Sequence, residues 1–313
     1  MTYTVSRIGQ ANQTGDVKDL FLKVFPGEVL TTFETNSVMK GKVFERTIAS
    51  GKSAQFPVIG DAVAEYHTPG VELLGGKLHH NEVVITIDDK LISKAFVADF
   101  DEAMSHFEVR ARYSHKLGYA LAKTRDRQLL QLAVLAARAA ARITGESGGS
   151  VITDADADTN MTSLHDSLVA AQTIFDEKDV PETERFVFLK PTVYNKLAAT
   201  KEAIEKDVDG SGSFSKGKIF ELAGFQLVKT NNLPSTNVTT GTLLAGTDDK
   251  YLGDFSTTVA VALHLDALGT VKLMDLAMEK EYTVRSQGTL MVAKLAEGSG
   301  VLNPACAIEI KTA

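Results

Sequence analysis

A single cysteine, Cys306, stands in 313 residues, and tryptophan is absent. One thiol excludes an intrachain disulfide and any thiolate metal cluster. No apolar run approaches the roughly 18 residues that a membrane-crossing helix needs, so no membrane is expected. The opening MTYTVSRIGQANQTG has neither an apolar core nor a small-residue cleavage site, which predicts no secretory signal and a cytoplasmic origin. Positive charge is in deficit. The 33 Lys and Arg face 40 Asp and Glu, a formal net charge of −7, which argues against a surface that grips phosphates tightly. Phe outnumbers Tyr 15 to 7, so the aromatics read mainly as core. What is present, 44% hydrophobic and 23% charged residues, is ordinary for an ordered globular chain. The length suits two domains, or one domain elaborated by insertions.

The strongest positive signal is a helical register from Phe100 to about Thr144. Asp99 is placed to cap its start, with Glu102 reaching back three residues later. Asp101 and Glu102 in the first turn, and Arg138 and Arg142 near the end, complement the helix dipole. Gly145 supplies the stop. Met104, Phe107, Ala111, Ser114, Gly118 and Leu121 recur at spacings of three and four and define one face. The face widens at Leu129, Leu132, Ala133, Ala136, Ala137 and Ala140. A helix of roughly 45 residues would run about 65 Å. A sphere of this chain length is only about 50 Å across. The expected subunit is therefore a plate or wedge built along a spine, a shape that can tile a surface. Gly118 costs about 1 kcal/mol against alanine, and a kink there, or two shorter helices, is the alternative.

Around that spine the chain divides by composition. Residues 1–45 read as an N-terminal arm whose stripe of Leu20, Phe21, Val24 and Phe25 ends at Pro26-Gly27. Such a short amphipathic helix has little of its own to pack on, so it is expected to dock elsewhere. Residues 46–92 read as an extended hairpin with strands at Thr47-Ile48, Phe56–Ile59 and Val83–Ile87. Between 50 and 78 large apolar residues are too few for a core, so the hairpin should project from the body. Residues 93–146 carry the spine.

After the linker GESGGS, residues 147–260 alternate helix and strand as a compact α/β domain. A helix is expected from about Thr162 to Lys178, a strand at Phe186–Leu189 and a helix opening on Pro191. A mobile loop at 209–215, a helical turn before Gly224 and a strand from Phe225 to Thr230 complete it. Thr257–Leu265 reads as a strand with Val259, Val261 and Leu263 inward. Residues 261–313 are expected to return as strands against the long helix, so that one domain is inserted into another. No internal repeat is evident.

Motifs that would carry chemistry are incomplete. Gly51-Lys52-Ser53 has the ending of a phosphate-binding loop, but Arg46 occupies the position of its first glycine. Pro57 holds Phe56 extended where a helix should begin. Lys52 instead fits a projecting hairpin, where its cation can reach a neighbour's carboxylates. Asp154, Asp156 and Asp158 open like a calcium loop, yet Thr159 stands where glycine is needed and His165 where a bidentate glutamate is needed. His106 and His115 lie nine residues apart, on opposite sides of a helix. His67, His79, His80, His165 and His264 show no metal-site spacing. The serines of Gly148-Gly149-Ser150 and Gly210-Ser211-Gly212 lack the setting of a nucleophile elbow. No catalytic, cofactor or metal residue is assigned.

Four separate strings, LFLKVFPGEVLTTF (20–33), SGKSAQFPVIG (50–60), DEAMSHFEVRARYSHKLGYALA (101–122) and LGTVKLMDLA through GVLNPACAIEIK (268–311), occur in the order found in one family. The chain resembles the major capsid proteins of short-tailed phages of the T-seven-like podovirus group. The resemblance covers about half the chain directly, and residues 145–250 follow it only in the order of elements. It implies an α+β fold shared by tailed-phage capsids and encapsulins: amino-terminal arm, extended loop, peripheral domain with a spine helix, and inserted axial domain. It also implies a non-enzymatic subunit, without cofactor, that self-assembles as pentamers and hexamers into the icosahedral head of a virion. That head would be built in the host cytoplasm with scaffolding and portal proteins, and would enclose double-stranded DNA without reading its sequence. Candidate assembly contacts are Leu20, Phe21, Val24 and Phe25 of the arm, and Lys52, Gln55, Phe56 and Tyr66 of the hairpin. The alternatives are an encapsulin-like compartment shell and a nucleotide-binding enzyme using Gly51-Lys52-Ser53.

Overall fold

The computed structural model describes residues 37–313 apart from 61, 63, 71, 73, 74, 76, 101–108, 200–209, 214–217 and 240–249. Strands β1 (Phe44–Thr47), β2 (Ser53–Ile59), β3 (His80–Thr86) and β4 (Leu91–Ala98) precede helix α1 (Val109–Ala137). Then come β5 (Ser150–Thr153), α2 (Met161–Glu177), β6 (Arg185–Leu189), α3 (Pro191–Ala199), β7 (Gly210–Ser213), β8 (Lys218–Leu222) and β9 (Phe225–Lys229). Strands β10 (Asn237–Val238), β11 (Gly253–Asp254), β12 (Thr258–His264), β13 (Leu268–Thr283), β14 (Gly288–Val301) and β15 (Ala307–Lys311) complete the chain.

Helix α1 runs through Gly118 without a break, so the two-helix alternative fails. Its 29 residues span about 43 Å. The expected first-turn acids Asp101 and Glu102, and Met104, His106 and Phe107 after them, lie outside the described residues. The other end stops at Ala137, about seven residues before the expected Thr144. Tertiary contact explains the early stop. The Gly149 amide donates to the Ala139 carbonyl, and a Cβ on Gly149 would sit 2.4 Å from the Ala136 and Ala137 carbonyl oxygens. The linker that sequence reads as a spacer thus closes over the last helical turn. Arg138, just beyond that turn, is held by Glu309 of β15 through two contacts of 2.6 Å.

Two sheets use different stretches of this helix. The first has the order β1-β13-β14-β4, dominated by the antiparallel ribbon of β13 and β14, whose ends meet at Thr283 and Gly288. Leu117, Leu121 and Ala122 of α1 pack under it against Val97, Met291, Ala293 and Leu295. The second has the order β5-β15-β12-β6-β9-β8-β7 and receives Leu129 to Ala137 into the largest core. Each fully buried Leu, Val, Ile or Phe side chain there contributes roughly 1.5–3 kcal/mol from removed apolar area, and each alanine less. One rod therefore couples two sheets.

The expected division at 260/261 falls inside β12, and β15 pairs with β12 in the second sheet, not with the ribbon of the first. Every residue of β12 is buried, including Ala260 and Ala262, so the expected one-sided alternation of Val259, Val261 and Leu263 does not hold. Both faces are covered, which is why β6 and β12 read as continuous apolar runs. Helix α2 contributes Leu164, Leu168, Ala171 and Phe175 to the same core.

Two local expectations are also corrected. Residues 210–213 form strand β7 instead of a loop, because pairing with β8 at the sheet edge outweighs the poor strand propensity of Gly and Ser. Before Gly224 there is no helical turn. Ala223 and Gly224 both have positive φ, 50° and 68°, and make the two-residue turn that joins β8 to β9 as a hairpin.

Candidate assembly surfaces

Strands β2 and β3 form the expected hairpin, paired antiparallel from Ser53↔Thr86 to Ile59↔His80. Period-two alternation gives it two unlike faces. Ala54, Phe56, Val58, Val83 and Ile85 point toward the body and pack on Ile48, Val271 and Leu302. The close approach depends on small residues in the ribbon. A Cβ on Gly298 would lie 2.1 Å from the Thr86 carbonyl oxygen. The other face presents Gln55 beside Val84, with Ile59 further along, and leaves Ile59 60% and Val84 47% exposed. Beyond the strands, Tyr66 is fully exposed.

The sequence-derived candidates separate accordingly. Gln55 is on the outward face, and Lys52, just before β2, is exposed. Phe56 is on the inner side, edge-on to Phe44 at 6.0 Å between ring centres and beneath the Arg46 guanidinium at 5.6 Å. It anchors the hairpin to its own subunit. Arg46 also donates to the Gln55 carbonyl. Leu20, Phe21, Val24 and Phe25 lie outside the described residues. Gly51, at φ 120°, leads straight into β2, so no helix follows Lys52. Asp154 accepts hydrogen bonds from the Ser163 and Ser167 hydroxyls of α2, and these draw its carboxyl below the usual range. Among the described residues no group of His, Cys, Asp or Glu is arranged to hold a metal.

Sequence reasoning missed the polar junction beneath the hairpin. Arg125, buried on α1, meets Glu45 of β1 at 2.5 Å and Glu297 of β14 at 2.8 Å. Lys272 of β13 meets Glu45 at 2.6 Å. One residue on, Asp126 accepts from the Ser37 hydroxyl and the Val38 and Met39 amides, which clamps the start of the described chain to the spine. Met39 and Val43 are buried in the main core, so residues 37–43 belong physically to the body. Asp88, after the hairpin, meets Lys250 at 2.5 Å and takes the Tyr251 hydroxyl at 2.6 Å.

The charges respond to burial. Desolvation raises the Glu297 carboxyl despite the attraction of Arg125. It raises Asp126 as well, against three opposing hydrogen bonds. Glu45 is the reverse case: burial alone would raise it, but Lys272 and Arg125 together bring it below its ordinary value. Burial pushes the Cys306 thiol up to about 11, which keeps it a thiol and inert. Only one signal in the sequence pointed to the junction: an adjacent Arg125-Asp126 pair inside an otherwise apolar and basic helix.

Comparison with solved structures places this geometry. The protein in the capsid structure of cyanophage P-SCSP1u superposes with a TM-score of 0.81 at 40% identity, covering 100% of this chain and 99% of that one. A virus-like particle from Pyrococcus furiosus shares the fold alone, with a TM-score of 0.56 at 14% identity over 93% of this chain and 99% of its own. A helix spanning two sheets, with a hairpin seated at one end, is the α+β architecture of tailed-phage capsid subunits.

Within that class the chain belongs to the Gp10A-like major capsid protein family, whose model matches residues 55–311. It is 33% identical to the major capsid protein of Escherichia phage T7, over 94% of this chain and 92% of that protein. It is 34% identical to that of Enterobacteria phage T3, over 96% and 93%. The protein is a major capsid subunit of a T7-like podovirus virion, and its working form is a homo-oligomeric icosahedral shell. No helix among the described residues is long and apolar enough to cross a membrane.

Proposed function

We propose that this subunit closes into pentamers and hexamers through the outward face of the β2–β3 hairpin, and that the finished shell confines double-stranded DNA. The observation that carries the reading is the hairpin's division into two faces. Its inner side is satisfied by Val271, Leu302 and Phe44, while Ile59, Val84 and Tyr66 remain in solvent, as do Lys52 and Gln55. A neighbour that covers these side chains removes apolar area that no contact among the described residues removes. Each such contact is weak, and closure of a shell multiplies them through effective concentration. The first sheet with the front of α1 serves as the peripheral domain and the second sheet as the axial domain. The arm, with Leu20, Phe21, Val24 and Phe25, is a further contact between copies, and scaffolding and portal proteins are the partners this role calls for.

A structural role without catalysis is supported by what the suggestive motifs do here. Gly51-Lys52-Ser53 begins a strand, and Asp154 is engaged by two serines of α2. The test is Ile59→Ser with Val84→Ser, followed by electron microscopy of purified protein. The expected product is a subunit with an unchanged circular dichroism spectrum that no longer forms closed shells. Normal shells from the double variant would remove the hairpin face from the assembly contact. Nuclease-resistant duplex DNA inside wild-type particles is expected, and a protein cargo in its place would favour the compartment-shell alternative.

A further inference from the structure

Burial sorts the charges of α1 in a way the net charge of the chain conceals. Between Val109 and Ala137 the helix carries Arg110, Arg112, Lys116, Lys123, Arg125 and Arg127 against the single carboxylate Asp126. Arg125 and Asp126 are buried in the junction described above. The solvent side from 112 to 128 therefore holds Arg112, His115, Lys116, Tyr119, Ala120, Lys123 and Arg127, and no acid. At 100° per residue, Lys116, Tyr119, Lys123 and Arg127 fall within a sector of about 80°, and from Lys116 to Arg127 the row is about 16 Å long. Arg112 and His115 have interactions of their own. Lys116, Lys123 and Arg127 are exposed and form no ion pair among the described residues.

We propose that this face of α1 lies on the inner wall of the shell and contacts the phosphate backbone of the enclosed duplex through Lys116, Lys123 and Arg127. The inference rests on the reading that the shell encloses DNA. Two observations favour a polyphosphate over a peptide. Peptides that dock on a helix face are held by several apolar anchors seated in pockets, and the only large apolar side chain offered here is Tyr119, 45% exposed. A rigid, straight row of cations without pockets reads no sequence, which is the chemistry of non-specific backbone contact. A subunit with a net charge of −7 is otherwise repelled by DNA. A short basic row repeated in every copy lets the outermost turns of the duplex rest against the wall, while the closed shell still does the confining.

The experiment uses the full chain and its K116Q/K123Q/R127Q variant, each held below the concentration at which shells form, with a 30-base-pair duplex as the probe. Fluorescence anisotropy is followed between 25 and 200 mM NaCl. Three phosphate contacts predict a slope of log K against log salt of about −2.7 for the wild type. The variant should lose most of that slope and bind at least tenfold more weakly at the lowest salt. No salt-dependent binding by the wild type, or an unchanged slope in the variant, overturns the proposal. Displacement of the duplex by an equal charge of polyglutamate as effectively as by unlabelled duplex assigns the face to an acidic protein and overturns it too. Electron microscopy of the variant keeps the two readings apart. Closed shells leave the shell-forming role intact whatever the binding result, and failure to close makes the face an assembly contact instead.

Discussion

Replacing Arg125 with methionine isolates the junction beneath the hairpin. The side chain is 2% exposed and donates to Glu45 at 2.5 Å and Glu297 at 2.8 Å. Methionine keeps the apolar stem and removes the charge. Glu45 still has Lys272 at 2.6 Å, but Glu297, whose side chain is 11% exposed, loses its direct ion-pair partner. Removing one member of a buried pair costs about 3–5 kcal/mol, chiefly from the charge left behind. An unfolding entropy near 2.1 cal/mol/K per residue turns a loss of about 4 kcal/mol into a fall in Tm of about 6 °C for the unassembled chain.

The pH dependence has a definite sign. Glu297 is already raised in the native state, and losing Arg125 raises it further. A raised acid holds its proton in the native state, so the penalty is absent below the ordinary value near 4.5, grows as pH rises above it and is complete once pH passes the folded value. Thermal melts at pH 5 and pH 8 should therefore show a smaller R125M deficit at pH 5. The double variant R125M/E297L should recover most of the loss. A Tm within 1 °C of wild type at pH 8, or a deficit independent of pH, would refute the reasoning.

Gly118→Pro should cost about 3 kcal/mol or more, because α1 is continuous there and proline removes a hydrogen bond from the middle of the rod; a melt unchanged from wild type would show that the helix tolerates a break. Gly298→Ala places a Cβ 2.1 Å from the Thr86 carbonyl oxygen, so the hairpin must shift off the ribbon at about 1–3 kcal/mol. Hydrogen exchange at the β3 amides should rise, and unchanged protection there would count against the close seat. In Glu45→Gln the acid limb of the stability curve should be shallower, since a carboxyl with a lowered folded value stabilises above about 4.5 and stops doing so as pH falls through the folded value. Urea titrations from pH 6 to pH 3 measure that slope, and coincident curves for variant and wild type would remove Glu45 from the network.

Periodicity revealed the spine, the hairpin strands and α2, because each is written in local spacing: three and four for helices, two for strands; α3 was legible from Pro191 at a first helical position. The four family strings extended that to the class of shell. Local spacing does not report what arrives from elsewhere in the chain. The helix end moved to Ala137 because Gly149 folds over its last turn. Residues 210–213 became a strand because β8 lies beside them. Strand β15 left the ribbon for the second sheet because β12 offers it an edge. The candidate contacts divided for the same reason. Phe56 and Gln55 are neighbours in sequence, yet alternation across a strand sends one toward Phe44 and the other into solvent.

Composition and spacing by themselves determined that this chain has a long spine helix and a hairpin too poor in apolar residues to fold on itself, since both follow from counts along a line. Only the tertiary structure decided which charges are buried at Arg125 and Asp126 and which form an open row at Lys116, Lys123 and Arg127. A charge acquires its role from the dielectric and the partners around it, and those come from residues 80 and 172 positions away.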